Sequence, residues 1–136
     1  MTVLTKPKPK KSRRKRLENQ LDNIFSLYIR KRDKNICFTC GATLLTAIMQ
    51  CGHLITRGRR AIRWDERGSV CQCSTCNLMH EHYPEIFTAK WISKYGEGAY
   101  QDLVLASWDD KKFSLQILED MISHYKDKLE SLEQKN

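Results

Sequence analysis

Two pairs of closely spaced cysteines constrain this chain more than any other feature of its sequence. Cys37 and Cys40 form one C-x-x-C turn, and Cys73 and Cys76 form a second. The short loop of a C-x-x-C turn lets both sulfurs face one point, and zinc prefers four tetrahedral thiolate or imidazole ligands. The spacing therefore predicts a structural zinc site on these four cysteines. Unligated buried thiols or redox pairs are the alternatives.

Two further cysteines, Cys51 and Cys71, fall outside this pattern. Cys71 lies two residues before Cys73 and could compete with it for the metal. Small buried apolar side chains are the more usual role of such residues. A zinc ion closed by four thiolates has no open coordination position, so the predicted metal would hold the fold together without taking part in chemistry.

Positive charge is concentrated at the amino terminus and around the cysteines. The formal net charge of +8 equals the number of basic residues in 1–16, a segment without acidic residues. This charge favours nucleic acid through phosphate contacts and counterion release. A tail that only aids solubility, or one that contacts an anionic membrane, is the alternative. The residues expected to bind nucleic acid are Lys10, Lys11, Arg13, Arg14, Arg57, Arg59, Arg60, Arg63 and Arg67.

Hydropathy and cysteine content indicate the compartment. The basic run leads into the mixed sequence LENQLDNIF, which is not a secretory signal, and no uncharged run is apolar enough to cross a bilayer. Six cysteines without an export signal favour metal binding or free thiols over disulfides. We expect a cytoplasmic protein without a membrane partner.

The apolar periodicity predicts a mostly helical α+β fold with one core. We expect a disordered basic tail over 1–16 and a single domain over 17–136, divided into an N-terminal helical region (17–35), a zinc-bound core (36–82) and a helical C-terminal part (83–136). Within these, helices are predicted over 17–33, 84–95, near 99–108 and over 114–133, with a strand over 42–49 and a short helix beginning within STCNLMH. The last helix carries an apolar stripe from Leu118 to Leu132, which is typical of core packing and, alternatively, of a dimer interface.

Two polar residues, His53 and Asn77, lie close to cysteines in the sequence and are candidates for a catalytic site. A metal that clamps strand and helix together would bring both residues beside one core. Hydrolysis of a phosphodiester needs a base for water and a cation for the phosphate. Neutral imidazole is a suitable base near pH 7, and an amide oxygen is an acceptable ligand for Mg²⁺. The alternative for His53 is an ordinary packing hydrogen bond.

Four motifs together resemble a known family. These are C-x-x-C-G at 37–41, G-H at 52–53, R-W-D-E-R at 63–67 and Q-C-x-x-C-N at 72–77. In this order they closely resemble the bacteriophage NinG (Rap) recombination nucleases, over about residues 20–133. More distantly the chain is similar to the HNH, or His-Me finger, nucleases, including junction resolvases of the endonuclease VII type. The resemblance implies a small zinc-stapled, treble-clef-like ββα-metal core with flanking helices.

The resemblance also implies site residues and an activity. His53 would be the general base, and Asn77 would bind a catalytic Mg²⁺ or Mn²⁺ that is separate from the zinc. The expected activity is cleavage of branched, Holliday-junction-like DNA in phage recombination, by a homodimer in the cytoplasm of a bacterial host. The alternatives are a non-catalytic zinc module that binds nucleic acid or a partner protein, and an HNH enzyme that cuts or nicks duplexes without branch preference.

Three positions depart from the patterns of the resembled families. Gly52 stands where many HNH enzymes have an aspartate, Gln50 where NinG relatives have an acidic residue, and Gly68 where they have an asparagine. Asn77 would therefore need a helper for the metal, and the candidates are Gln50, Asp65 and His80. For His80 and its neighbour His82, the alternative is a solvated helix end, because their i, i+2 spacing points the two rings apart.

Overall fold

The computed structural model describes residues 4–135 and contains five helices and a two-stranded antiparallel sheet. The predicted fold class, mostly helical α+β, is confirmed. Two 3₁₀ turns, Arg60–Ile62 and Glu66–Gly68, lie between the strands. The helices are α1 (Arg13–Arg32), α2 (Ser74–His82), α3 (Pro84–Tyr95), α4 (Glu97–Ser107) and α5 (Leu115–Gln134), and the strands are β1 (Met49–His53) and β2 (Ser69–Cys73).

Helix α1 begins before residue 17, where the sequence predicted its start, and includes residues 13–16 of the expected basic tail. The Ser12 side chain accepts a hydrogen bond from the Lys15 N–H and caps the helix, which makes Arg13 its first residue. The sequence prediction followed apolar periodicity, which begins at Leu17 and is blind to a solvated first turn. Residues 4–11 are exposed and form no regular secondary structure, and residues 1–3 of the expected tail lie outside the described part.

The first strand is displaced from its predicted position over 42–49. The backbone N–H groups of Thr46 and Ala47 both donate to the Thr43 carbonyl, which makes this segment a turn. Leu44 and Leu45 are exposed on it. The apolar and β-branched composition was therefore misleading, and the strand consists of the next residues, MQCGH, which end at His53.

Helices α1 and α5 pack together as the larger core. Leu21, Phe25 and Ile29 of α1 contact the α5 stripe, and Trp64 and Phe113 complete the cluster. The stripe was predicted correctly as core. Its buried members are therefore not available as a dimer interface; they are Leu118, Ile122, Tyr125 and Leu129.

The hairpin of β1 and β2 lies between this core and a second one. Successive side chains of a strand point to opposite faces of a sheet. Cys51 accordingly packs against the α1–α5 cluster, whereas Val70 packs against Phe87, Trp91 and Leu103 of α3 and α4. Among residues 4–135, no helix combines the length and apolar character that crossing a membrane requires.

Candidate functional site

The four predicted cysteines form a cluster. The sulfurs of Cys37, Cys40, Cys73 and Cys76 all lie within 4.8 Å of one another. Cys40 Sγ lies 3.8 Å from Cys73 Sγ, which matches the edge of about 3.8 Å in a tetrahedron with zinc–sulfur bonds of about 2.3 Å. The arrangement therefore fits a structural metal such as zinc.

Local backbone structure explains why these sulfurs converge. Gly41 has a φ of 77° and closes the first C-x-x-C turn by donating its N–H to the Cys37 carbonyl. The N–H of Phe38 donates to the Cys71 carbonyl and joins this turn to β2. At the end of β2, Cys73 Sγ accepts a hydrogen bond from the Cys76 N–H and caps α2. Helix α2 therefore begins at the cysteine cluster.

The cluster contains one thiol that ionises readily. Burial acts to raise the pKa of Cys37, but backbone hydrogen bonds at Cys40, Cys73 and Thr39 outweigh it and lower that pKa to about 7. Burial and contacts with the other sulfurs raise the pKa of Cys76. A metal that binds the cluster must therefore displace protons, so its affinity will rise with pH.

Cys51 and Cys71 lie directly opposite each other on the strands and are free thiols. Cys71 is fully buried beside the cysteine cluster, and burial raises its pKa to about 11. Burial likewise raises the pKa of Cys51 to about 12. Neither belongs to the four-sulfur set. Both thiols therefore stay protonated near neutral pH, as expected of small side chains that pack and do not bind a metal.

A polar cavity of about 560 Å³ lies among α1, β1 and α2. His53 and Asn77 both line it, so the two residues that the sequence singled out share one site. The other polar and charged residues that line it and are important below are Asp22, Gln50, Arg57, His80 and Glu81.

The hydrogen bond of His53 fixes its tautomer. His53 Nε2 lies 2.9 Å from the carbonyl oxygen of Arg63. A carbonyl can only accept, so Nε2 carries the hydrogen and the neutral ring keeps a lone pair on Nδ1. Burial lowers the pKa of His53, which keeps the ring neutral near pH 7. The side chain is therefore in the protonation state that a proton acceptor requires.

Asn77 is oriented by one of the predicted helper residues. Its Nδ2 donates to Gln50 Oε1 over 2.9 Å. This bond assigns the amide nitrogen to Gln50 and leaves Asn77 Oδ1 as the atom with which the side chain can bind a cation. Gln50 is exposed on β1. Of the three candidate helpers, it is the one in direct contact with Asn77.

The other two candidate helpers, Asp65 and His80, do not suit a metal at Asn77. Asp65 is paired with Arg67 and lines a different cavity, beside Lys128. His80 Nε2 is bonded to the Leu54 carbonyl, and His80 Nδ1 is buried without a partner. Because a carbonyl only accepts, Nε2 carries the hydrogen and Nδ1 keeps its lone pair, but that atom is buried and not exposed to a cation at Asn77. The solvated-end alternative was also wrong for His80, although the neighbouring His82 is exposed.

Sequence reasoning missed two acidic residues of the cavity, Asp22 and Glu81. Asp22 accepts hydrogen bonds from the Arg63 guanidinium and from Trp64 Nε1. It lies on the apolar stripe of α1, at i−3 from Phe25, and a charge in such a stripe signals a buried partner. Glu81 is exposed and stands at i+4 from Asn77, so both lie on one face of α2.

The five loop arginines expected at phosphates have different environments. Arg63 is buried and paired with Asp22, so its guanidinium is not exposed to the phosphates that the sequence led us to expect there. Arg60 pairs with buried Glu18, and Arg67 pairs with Asp65. The side chain of Arg57 is 62% exposed and lines the cavity. Arg59 lies over the Trp108 ring.

Packing explains the two glycines that depart from the resembled families. A Cβ on Gly52 would lie 2.0 Å from Gln72 Oε1, so an aspartate does not fit beside this buried glutamine. A Cβ on Gly68 would lie 3.3 Å from Leu103 Cδ2, so a larger side chain would press on α4. Both departures belong to the packing of the hairpin against its neighbours.

Comparison with known proteins gives one result. A family model described as bacteriophage Lambda NinG protein matches residues 4–135, which include every residue of the cysteine cluster and the cavity. No curated protein and no solved structure matches the chain.

Proposed function

This chain belongs to the bacteriophage lambda NinG family, and from this premise we propose that it is a metal-dependent endonuclease of the HNH type that cleaves branched, Holliday-junction-like DNA in phage recombination. The proposed ββα-metal core consists of β1, which carries His53, β2, and α2, which carries Asn77. The observation that most supports the proposal is that these two residues, distant in sequence, line one cavity beside the cysteine cluster.

In the proposed reaction, His53 Nδ1 takes a proton from water while the water oxygen attacks the phosphorus of a phosphodiester and one P–O bond breaks. The Arg63 carbonyl keeps the ring in the required tautomer. Arg57, which lines the same cavity with a side chain that is 62% exposed, is available to hold a flanking phosphate. A bound Mg²⁺ or Mn²⁺ would neutralise the charge that develops on the phosphate and the leaving oxygen.

The donors in the cavity fit a hard cation. Mg²⁺ prefers oxygen ligands and keeps several of its waters, so one or two carboxylates or amides are enough to bind it. Asn77 offers an amide oxygen, and Gln50 offers a second. Glu81 offers a carboxylate on the same helix face as Asn77. We assign these three residues as the ones that would hold the catalytic metal.

The test compares cleavage of labelled four-way junctions and linear duplexes with Mg²⁺, with Mn²⁺ and without either. His53→Ala should lower the rate by about 100- to 10,000-fold, the usual contribution of a general base. His82→Ala is the matched control, because His82 is exposed on α2 and does not line the cavity. Equal rates for His53→Ala and the unmutated protein would disprove the assignment. Equal cutting of junctions and duplexes would favour the HNH enzyme without branch preference.

One observation favours a second candidate, a non-catalytic zinc module that binds nucleic acid or a partner protein. Within residues 4–135, the cysteines are the one group of three or more His, Cys, Asp or Glu side chains close enough to hold a metal ion. The cavity thus has no cluster of carboxylates already assembled. Binding of junctions by the unmutated protein with no cleavage in either metal would establish this alternative.

We also propose a homodimer, because resolution of a four-way junction needs two matched cuts. The interface must lie outside the α5 stripe, which is buried within the chain. Light scattering of the protein alone and with a junction would give the number of chains. A single chain on each junction would contradict the proposal.

A further inference from the structure

Trp108 is exposed in a way that the other tryptophans are not. Its relative exposure is 65%, against 2% for Trp64 and 4% for Trp91. It caps the carboxyl end of α4. Leaving so large an apolar ring in water gives up the burial that tryptophan usually provides to a core. The exposed position therefore suggests that the ring binds something.

A groove of about 730 Å³ surrounds Trp108, between the loop that precedes the first 3₁₀ turn and the α4–α5 connection. The guanidinium of Arg59 lies 3.8 Å from the centre of the Trp108 ring. A planar cation already occupies one face of the ring, and the high exposure leaves the rest open. Aromatic rings and arginine planes of this kind are the surfaces on which unpaired bases stack.

One loop borders both the groove and the His53–Asn77 cavity. Thr56 and Arg57 line the cavity, and the next two residues, Gly58 and Arg59, line the groove. A nucleic-acid strand that leaves the cavity past Arg57 therefore reaches Trp108 by crossing this loop. The two surfaces can contact neighbouring parts of one strand.

The charges of the groove indicate which part of the strand faces Trp108. Lys111 and Lys112 line it and attract a phosphate backbone, whereas Asp109 and Asp110 repel phosphates at close range. Carboxylates do accept hydrogen bonds from the amino groups of bases. A lining that carries both charges therefore suits a strand whose base faces the Trp108 ring and whose phosphates lie along Lys111 and Lys112. A base inside a duplex has its faces covered and cannot stack there.

We propose that Trp108 and Arg59 form a stacking site for an unpaired nucleobase of the DNA strand whose phosphate occupies the His53–Asn77 cavity. This inference rests on the proposed function for the identity of the ligand. It adds a reason for branch preference, because the base pairs at a DNA branch point open more easily than those inside an intact duplex.

The experiment uses the His53→Ala protein, so that no cleavage interferes, and measures tryptophan fluorescence and affinity for single-stranded oligothymidylate, a four-way junction and a duplex of equal length. Oligothymidylate should quench the fluorescence. An added Trp108→Ala should weaken oligothymidylate binding by roughly 5- to 150-fold, the range for loss of one base–aromatic stack. Trp108→Phe should remove the quenching but keep most of the affinity.

Leu105→Ala is the matched control, because Leu105 is an apolar residue of α4 that is 71% exposed and lies outside the groove. It should leave binding unchanged. Unaltered oligothymidylate binding by the Trp108→Ala protein overturns the inference, and so does an equal loss on duplex. Absence of quenching by any DNA also overturns it and favours a protein partner for the groove. If Trp108→Ala weakens binding as expected but the protein with His53 intact cleaves neither junctions nor duplexes with Mg²⁺ or Mn²⁺, the proposed nuclease is refuted and the stacking site is retained.

Discussion

Gly52 and Gln72 share one space on the face of the hairpin that is turned away from His53. An ideal Cβ on Gly52 meets Gln72 Oε1 at 2.0 Å and Cδ at 2.7 Å. Gln72 is fully buried and donates to Thr39 Oγ1 over 2.8 Å, so it cannot move freely. The absent aspartate is therefore a consequence of packing, and a carboxylate cannot be restored at residue 52 unless residue 72 also changes.

This contact predicts strong coupling between the two residues. Gly52→Ala should lower the free energy of unfolding by about 1–3 kcal/mol, because the added methyl group overpacks a buried site. In a Gln72→Ala background the same change should cost much less, since the contacting Cγ, Cδ and Oε1 atoms are gone. Urea unfolding of the four proteins, all with zinc present, gives the coupling energy. A coupling near zero would mean that Gln72 does not restrict residue 52.

At the scale of elements, the cysteine cluster joins the segment after α1, the end of β2 and the start of α2. Asn77 directly follows Cys76, so the cluster also sets the position of the helix turn that lines the cavity together with His53. Structural zinc contributes its binding free energy to folding. The metal would therefore hold both the small hairpin and the geometry of the cavity.

Cys76→Ser should accordingly remove both the metal and much of the stability. We expect the zinc content to fall from about one ion per chain to near zero, because a closed site needs all four ligands. The thermal midpoint should fall with it. Cys51→Ala is the control, since this free thiol lies outside the cluster, and it should retain the zinc. Mass spectrometry of the metal and circular dichroism measure the two effects, and a zinc-loaded Cys76→Ser protein would contradict the ligand assignment.

The elements that were predictable carry local signals. Ser114 caps α5 by accepting from the Ile117 N–H, and the apolar stripe behind it gave both the helix and its buried face. Cysteine spacing predicted the four-sulfur cluster, and it also led us to expect His53 and Asn77 in one site; both line one cavity. The start of β1 was not predictable, because the apolar segment before it lies exposed in a turn. Asp22 was missed because its partners, Arg63 and Trp64, are distant in sequence and meet it only in the folded chain.

Across the whole molecule, much of the basic charge is used within the fold. Arg13 pairs with Glu119 across the α1–α5 contact, and Lys128 pairs with Glu66. Formal charge alone therefore overstated how many basic side chains are available to DNA. Four lysines lie in the exposed segment before α1, outside the ion pairs of the fold; they are Lys6, Lys8, Lys10 and Lys11.

Because these four lysines are exposed whereas Arg13 is paired within the fold, two truncations should give different results. Removal of residues 1–11 keeps the Ser12 cap and deletes four lysines, so the slope of log affinity against log salt should fall by up to about 4 on branched DNA, with an unchanged thermal midpoint. Removal of residues 1–16 also deletes the cap and the Arg13–Glu119 pair, which should cost about 1 kcal/mol of stability in addition. A full-length protein with the four lysines changed to glutamine is the control, and it should reproduce the lower slope. If the slope does not change in either the shorter truncation or the control, the segment before α1 does not contact phosphates, and the attraction to DNA must come from the folded surface around Arg57 and Arg59.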